Sequence, residues 1–342
     1  MAGESFGDPR LDALAYAVLA PSAHNRQPWL FRLDGDTRIT VLPDLDRLLP
    51  QTDPYNRQIV VSFGAMLELL RMAAASRGYH ADTVPFPDGE PYPTLDARPV
   101  AIVNLTKQTA ATDPLMYAIL KRRTNRAVFA KRDVERAALA PVLAEAGDRA
   151  GVMPDTDAVK AVCRHGWDIE ARLARTHAES VALTRIGARE VAARPDGISL
   201  YGPGMEALSA LGMVSREAMM DKDSQAHAQT IDFYNGLIDS AQRFVWLRSD
   251  TDSRAAQLSA GRDWVRMQLA ATQTGLAFHP LSQALQEFPE MADPFAAIHR
   301  LAGLDVPIDR SATRLQGVFR LGYADAPRPS PRWPLTSRII AA

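Results

Sequence analysis

The sequence predicts an α+β protein made of two related halves, and three observations carry that expectation. Strand pairs and one-sided apolar helices both occur along the 342 residues. A set of small residues recurs at matching spacings in two distant segments. Hydrophobic side chains make up 46% of the chain with no long polar or repetitive tract, enough to bury a large core in two lobes.

The elements follow in order. Leu11, Leu14, Ala15 and Val18 fall at helical spacing, so a first helix is expected over Pro9 to Leu19, ended by Pro21. Trp29 to Leu33 and Ile39 to Leu42 form a strand pair around the turn Asp34-Gly35. A helix is expected from Ser62 to Gly78, apolar through Met66, Leu69, Leu70 and Ala73, with Gly78 at its C-terminal cap. Phe86 to Asp96 is a Pro- and Asp-rich loop, and Pro99 to Leu105 a buried strand. From Pro114 to Arg300 the pattern is mostly helical, interrupted at Pro195-Asp196-Gly197 and Gly202-Pro203-Gly204. Thr313 to Leu321 is a last strand before a tail rich in Pro and Arg.

Ser62-x-Gly64, Ala73-Ala74 and Gly78 recur with the same separations as Ser259-x-Gly261, Ala270-Ala271 and Gly275. Small residues also recur on buried helix faces by chance, but the downstream order of elements agrees as well. A duplicated pair of halves implies a pseudo-twofold interface, a usual place for a cofactor.

Composition excludes several classes. With 39 Lys and Arg against 40 Asp and Glu, the chain lacks the field on which nucleic-acid binding rests. Its single cysteine, Cys163, rules out an internal disulfide and cysteine-built metal sites, and fits a reducing compartment. Met1 to Asp8 does not read as a secretory signal, and no apolar run reaches bilayer-spanning length, so a cytoplasmic location is expected. The seven histidines are scattered without metal-ligand spacing. Gly202-Pro203-Gly204-Met205-Glu206-Ala207 mimics a dinucleotide fingerprint, but Ile198 to Tyr201 is a poor strand and a proline occupies the turn, so it reads as a loop. Gly197-Ile198-Ser199-Leu200-Tyr201 lacks the second glycine of a hydrolase elbow.

Four segments carry chemistry. Pro21-Ser22-Ala23-His24-Asn25-Arg26-Gln27-Pro28-Trp29 presents neutral donors and acceptors through Ser22, Asn25 and Gln27, groups suited to a ring edge of carbonyls and nitrogens or, singly, to a capped polar turn. Arg122-Arg123-Thr124-Asn125-Arg126 offers bidentate phosphate ligands, or else a cluster complementing a helix C-terminus. Gly275 to Gln283 is an extended segment with a proline, in which His279 beside Pro280 could act as an acid but, as a lone histidine at a proline turn, is given no role. Gly322-Tyr323 and Pro329-Ser330-Pro331-Arg332-Trp333-Pro334 close the chain.

The first segment resembles the Pro-Ser-x-x-Asn-x-Gln-Pro-Trp signature of the nitroreductase family, and the second that family's Arg-Arg-Ser-x-Arg motif. This resemblance implies a nitroreductase-like fold, internally duplicated, with central mixed or antiparallel sheets flanked by helices. It further implies FMN held by Pro21, Ser22, Ala23, Asn25 and Gln27 from one half, with Arg122, Arg123, Thr124 and Arg126 around the phosphate. Leu281, Ser282 and Gln283 would then lie beside flavin N5 and the pyrimidine edge, and Arg332 would complete the clamp, or else be a solvated arginine of the tail. The motif order, Asp53-Pro54-x-x-Arg57 and the long middle insertion are similar to the Acg-like branch, in which one chain mimics the nitroreductase dimer. The expected division is residues 1–110 and 111–342, the second half carrying a helical lid at about 196–222 that includes Met205, Met213, Met219 and Met220; the other reading of that segment is a helix packed elsewhere on the core.

Two functions fit. One is an FMN oxidoreductase taking hydride from NADH or NADPH and reducing a nitroaromatic, quinone or similar flat acceptor. The other is a flavin-holding module with little turnover. No catalytic side chain and no metal ligand is assigned, each chain is expected to bind one FMN as a pseudo-dimer, and further homodimerisation stays open.

Overall fold

The computed structural model describes residues 5–108, 111–210 and 214–341. Met213 and the expected boundary at residue 110 therefore lie outside the described residues. The chain begins with α1 (Pro9–Ala17), the hairpin β1 (Trp29–Asp34) and β2 (Arg38–Pro43), α2 (Arg57–Ser76), β3 (Tyr79–Pro85) and β4 (Ala101–Lys107). Asp53 starts α2 earlier than the apolar pattern does, its carboxylate accepting from the Gln58 and Ile59 N–H groups at 3.1 and 2.9 Å. Gly78, at φ 79°, takes the left-handed conformation that ends the helix.

After α3 (Arg136–Ala144) and β5 (Ala150–Val152) comes a segment of α4 (Thr156–Arg172), α5 (Ala174–Ala182), β6 (Thr184–Ile186), α6 (Gly187–Ala193), β7 (Ile198–Leu200), α7 (Pro203–Ala210), α8 (Arg216–Met220) and α9 (Gln225–Asp239). Then follow β8 (Arg243–Ser249), α10 (Arg254–Gln273), β9 (Ala277–Pro280), α11 (Ala292–Leu301), β10 (Arg314–Gly322) and β11 (Ile339–Ile340).

The two main sheets repeat one topology. The first has the order β11-β1-β2-β4-β3 and the second β5-β8-β10-β9. Apart from β11, which joins β1 in parallel, every pair in both is antiparallel. Helix, strand, strand, helix, strand, strand is thus traced twice, with the later copies of α2's residues at a constant offset of 197. Where the first copy turns at Asp34-Gly35, the second carries residues 153–242. That insertion is far longer than residues 196–222.

Helices α2 and α10 cross at the duplicated glycines. A Cβ on Gly64 would overlap the Leu258 carbonyl, and one on Gly261 the Val61 carbonyl, so each helix rests on the other's backbone. Arg57 and Arg254, also at the offset of 197, are both 1% exposed and reach across reciprocally. Arg57 donates to the carbonyls of Leu285 and Gln316 and to Glu287; Arg254 donates to those of Pro91 and Pro93. The largest apolar core surrounds this crossing, and a second forms between the insertion and β10.

The stretch from Pro114 to Arg300 is mostly helical, as expected, but it also contains β8, which β5 and β10 hold in the middle of a sheet. Two expectations are corrected. Ile198 to Gly204 is not merely a loop: β7 pairs with β6, and Pro203 sits at the start of α7, where its missing N–H costs nothing. By length and mean hydropathy, 1.6, α2 could cross a bilayer, contrary to the expectation that no apolar run reaches that length; here 78% of that stretch is buried inside the protein.

Candidate cofactor site

The loop between α1 and β1 is held in an unusual backbone conformation. His24, Asn25 and Gln27 have φ of 47°, 52° and 51°, a left-handed region that side chains seldom adopt without support. Supports come from every side. Ser22 Oγ accepts the Gln27 N–H at 2.9 Å, and Ser62 Oγ on α2 accepts the Ala23 N–H at 3.1 Å. Gln27 donates its amide to the Pro195 carbonyl at 2.7 Å and accepts the Trp333 N–H at 2.9 Å. The loop is therefore clamped by α2, by the insertion and by the tail.

Against this loop lies a group of cations. Arg332 bridges the segments, donating to Asn25 Oδ1 at 2.8 Å and to the carbonyls of Val18, Leu19 and Ala20 at the end of α1. Arg122 donates to the Leu19 carbonyl and to Gln268 Oε1, both at 3.1 Å. Arg123 reaches only the carbonyls of Leu120 and Arg122. Among the described residues no carboxylate pairs with any of the three, and the buried Nε atoms of Arg122 and Arg123 have no partner. Burial, then the cations of Arg332 and Arg123, lower the Arg122 guanidinium to about 9. Burial and Arg123 lower Arg332 to about 10. Both stay charged at neutral pH, and uncompensated buried cations are costly unless an anion joins them.

The other assigned residues are placed as follows. Thr124 accepts from Gln268 at 3.4 Å, whereas Arg126 is exposed and without an ion pair among the described residues. Arg126 nonetheless adds to the lowering of His24 to about 4, after burial as the larger cause, and also faces His279. His279 is buried and accepts from Arg320 at 2.9 Å, a structural contact. The Asn125 N–H donates to the Phe278 carbonyl at 3.0 Å, so the arginine run lies along β9. Pro21 to Gln27, Arg122 to Arg126, β9 and Arg332 thus converge.

Leu281 to Gln283 lie just beyond β9 and face the insertion. The Leu281 N–H is committed to the Val318 carbonyl at 2.8 Å, and its side chain is buried. Gln283 hydrogen-bonds Glu170 of α4, whose Oε2 also accepts from Gln286 at 2.8 Å. Burial without a cation raises the Glu170 carboxyl to about 7.

Residues not singled out from the sequence complete the site. Gln268 is an internal helix position with no local signature. Ser62 was visible only as part of the repeat. Asp196 accepts from Arg26, Arg47 and Arg185 at 3.1, 2.6 and 2.9 Å, fastening the insertion beside the loop.

No family model matches the chain. Over 289 residues it is 28% identical to a Mycobacterium tuberculosis protein provisionally named an NAD(P)H nitroreductase, covering 80% of this chain and 76% of that protein. It is 34% identical over 122 residues to NAD(P)H nitroreductase acg of the same organism, also a provisional name, covering 35% of each. Over 124 residues it is 32% identical to an uncharacterised M. tuberculosis protein, of whose length the chain spans about a third, 35%. Among solved structures, the FMN-dependent nitroreductase NfnB from Mycobacterium smegmatis in complex with NADPH aligns with 64% of this chain and 94% of its own, at 19% identity and a TM-score of 0.37. The first of these similarities runs through four fifths of the chain, and the name provisionally given to that relative agrees with the family its motifs resemble.

Proposed function

We propose that this nitroreductase-like chain is an FMN-dependent oxidoreductase that takes hydride from NADH or NADPH and passes it to a nitroaromatic, quinone or similar flat acceptor. One observation carries the reading: three arginines, Arg122, Arg123 and Arg332, gather with no carboxylate partner among the described residues, beside a strained loop of neutral hydrogen-bonding groups. Such a cluster matches a phosphate dianion, and the loop matches the carbonyls and nitrogens of a flavin ring. Bound FMN would supply a hydride acceptor at N5. The protein's own part is to fix the ring edge with the loop whose shape Ser22, Asn25 and Gln27 hold, to hold the phosphate with the arginines, and to border the ring with the Leu281 to Gln283 turn.

In this reading the halves divide near residue 110, act as a pseudo-dimer, and assemble one site from the loop of the first and the arginines of the second. At the repeated position Ser259 lines an open groove of about 240 Å³ whose two arginines, Arg149 and Arg248, are already paired with Asp263 and Asp250 and so are not held in reserve for a second phosphate. The segment at 196–222 would shield the site, since Pro195 and Asp196 already bind the loop. The location consistent with this chemistry is the cytoplasm, and a further homodimer contact is compatible with it.

The test is direct. The purified protein should carry one FMN per chain, and Arg122→Ala should weaken FMN by roughly ten- to a hundredfold, the cost of about 1.5–3 kcal/mol for a charge-assisted contact. Unchanged affinity by fluorescence titration refutes the assignment. Anaerobic stopped-flow mixing with NAD(P)H separates turnover from the second reading, a flavin-holding module, for which the flavin band would bleach slowly or not at all.

A further inference from the structure

The chain has placed the same helix position to opposite use in its two halves. Helices α2 and α10 are both 20 residues long, and Arg71 and Gln268 are the fifteenth residue of each. Around Arg71 every charge is answered. Arg71 pairs with Glu68 at 2.7 Å, and Arg266 pairs with Glu68, Asp113 and Glu145 at 2.8, 2.7 and 2.7 Å. Around Gln268, among the described residues, the arginines are answered only by neutral groups.

Gln268 is fully buried, and both ends of its amide are used. Its Oε1 accepts from Arg122 Nη1 at 3.1 Å, while its Nε2 donates to the Arg123 carbonyl at 3.1 Å and toward Thr124 Oγ1 at 3.4 Å. One side chain thereby holds three successive residues of the basic run. An amide orients Arg122 without discharging it; a carboxylate there would form a charge-assisted pair and compete with any incoming anion. The unpartnered Nε atoms of Arg122 and Arg123 are what that restraint leaves over.

We propose that Gln268 is a positioning residue that sets specificity: by presenting Arg122 and Arg123 undischarged, it makes the site select a phosphorylated flavin over riboflavin, which lacks the phosphate. This rests on reading the arginine cluster as the phosphate clamp. The prediction is unusual for a buried glutamine, because a merely structural role would move both ligands together.

The experiment titrates FMN and riboflavin, by flavin fluorescence, into the apoprotein of the wild type, Gln268→Glu and Gln268→Met, at low and high salt with melting curves in parallel. The wild type should prefer FMN strongly. Gln268→Glu should lose about ten- to a hundredfold in FMN affinity, keep riboflavin within about twofold, and show a weaker salt dependence for FMN. Gln268→Met, which removes the amide without adding charge, should lose less FMN affinity than the glutamate variant and again spare riboflavin; it carries the test if the glutamate variant fails to fold. A wild type that discriminates, with variants that discriminate equally or lose both ligands in proportion, overturns the role of Gln268 alone. A wild type that binds the two flavins equally overturns the phosphate clamp and the inference with it.

Discussion

Gly64→Ala is a one-carbon change with a large expected effect. The added Cβ would lie 2.7 Å from the Leu258 carbonyl carbon and 2.9 Å from its Cα, with the carbonyl oxygen nearer still. These are backbone atoms of α10, so no side chain can swing aside. Helices α2 and α10 must part by about 1 Å, a gap that already forfeits a quarter to a half of the dispersion energy of the atoms lining it. Overpacking of this kind costs about 1–3 kcal/mol and more where backbone must move, against which alanine's better helix propensity returns up to about 1 kcal/mol. The net loss, about 2 kcal/mol or more, should lower the melting temperature by roughly 3 °C or more for a chain of this size. Gly236 in α9 provides the control, since a Cβ there meets nothing within 4 Å. Gly236→Ala should be neutral or stabilising by up to about 1 kcal/mol. The double variant Gly64→Ala/Gly261→Ala should lose less than the sum of the single losses, because both carbons press on one crossing and the first separation relieves the second. A Gly64→Ala protein that melts with the wild type, or a double variant that is strictly additive, would refute the reciprocal contact.

Two further predictions concern the insertion. Glu170→Gln should raise stability at pH 8 and leave it unchanged near pH 4.5: the folded carboxyl titrates at about 7 and the unfolded one near 4.5, so the fold binds the extra proton between them and wild-type stability falls as pH rises through that window. The ceiling is about 3 kcal/mol, at 1.36 kcal/mol per unit, and equal urea midpoints for both proteins at pH 8 would count against it. Asp196→Ala removes the one carboxylate shared by Arg26, Arg47 and Arg185 and should cost about 3–5 kcal/mol, with faster hydrogen exchange in residues 183–200; unchanged exchange there would show that the insertion is held by other contacts.

Much of the candidate site was legible because its signals are local. The loop of Ser22, Asn25 and Gln27 needs its prolines and polar residues in sequence, and the run Arg122 to Arg126 is visible as adjacent cations. The hairpin at Asp34-Gly35 and the paired glycines of α2 and α10 were readable for the same reason. What escaped depends on distant partners. Arg243 to Ser249 lies among helical patterns and becomes a central strand only through β10, more than sixty residues later. Gln268 and Arg71 occupy equivalent helix positions, and only their neighbours across the fold distinguish a reserved cation from a neutralised one. Nor can spacing reveal that Gln283 turns toward Glu170, since α4 has no counterpart in the first half.

The bond from Arg332 to Asn25 joins residues 307 apart, and β11 pairs with β1 over a similar distance. On a ribosome moving at about 5–20 residues per second, the loop waits roughly 15–60 s for the arginine that braces it. If the chain holds FMN as proposed above, capture is complete only once residue 332 has been made, and a chain cut short of that point should bind flavin weakly and stay pale.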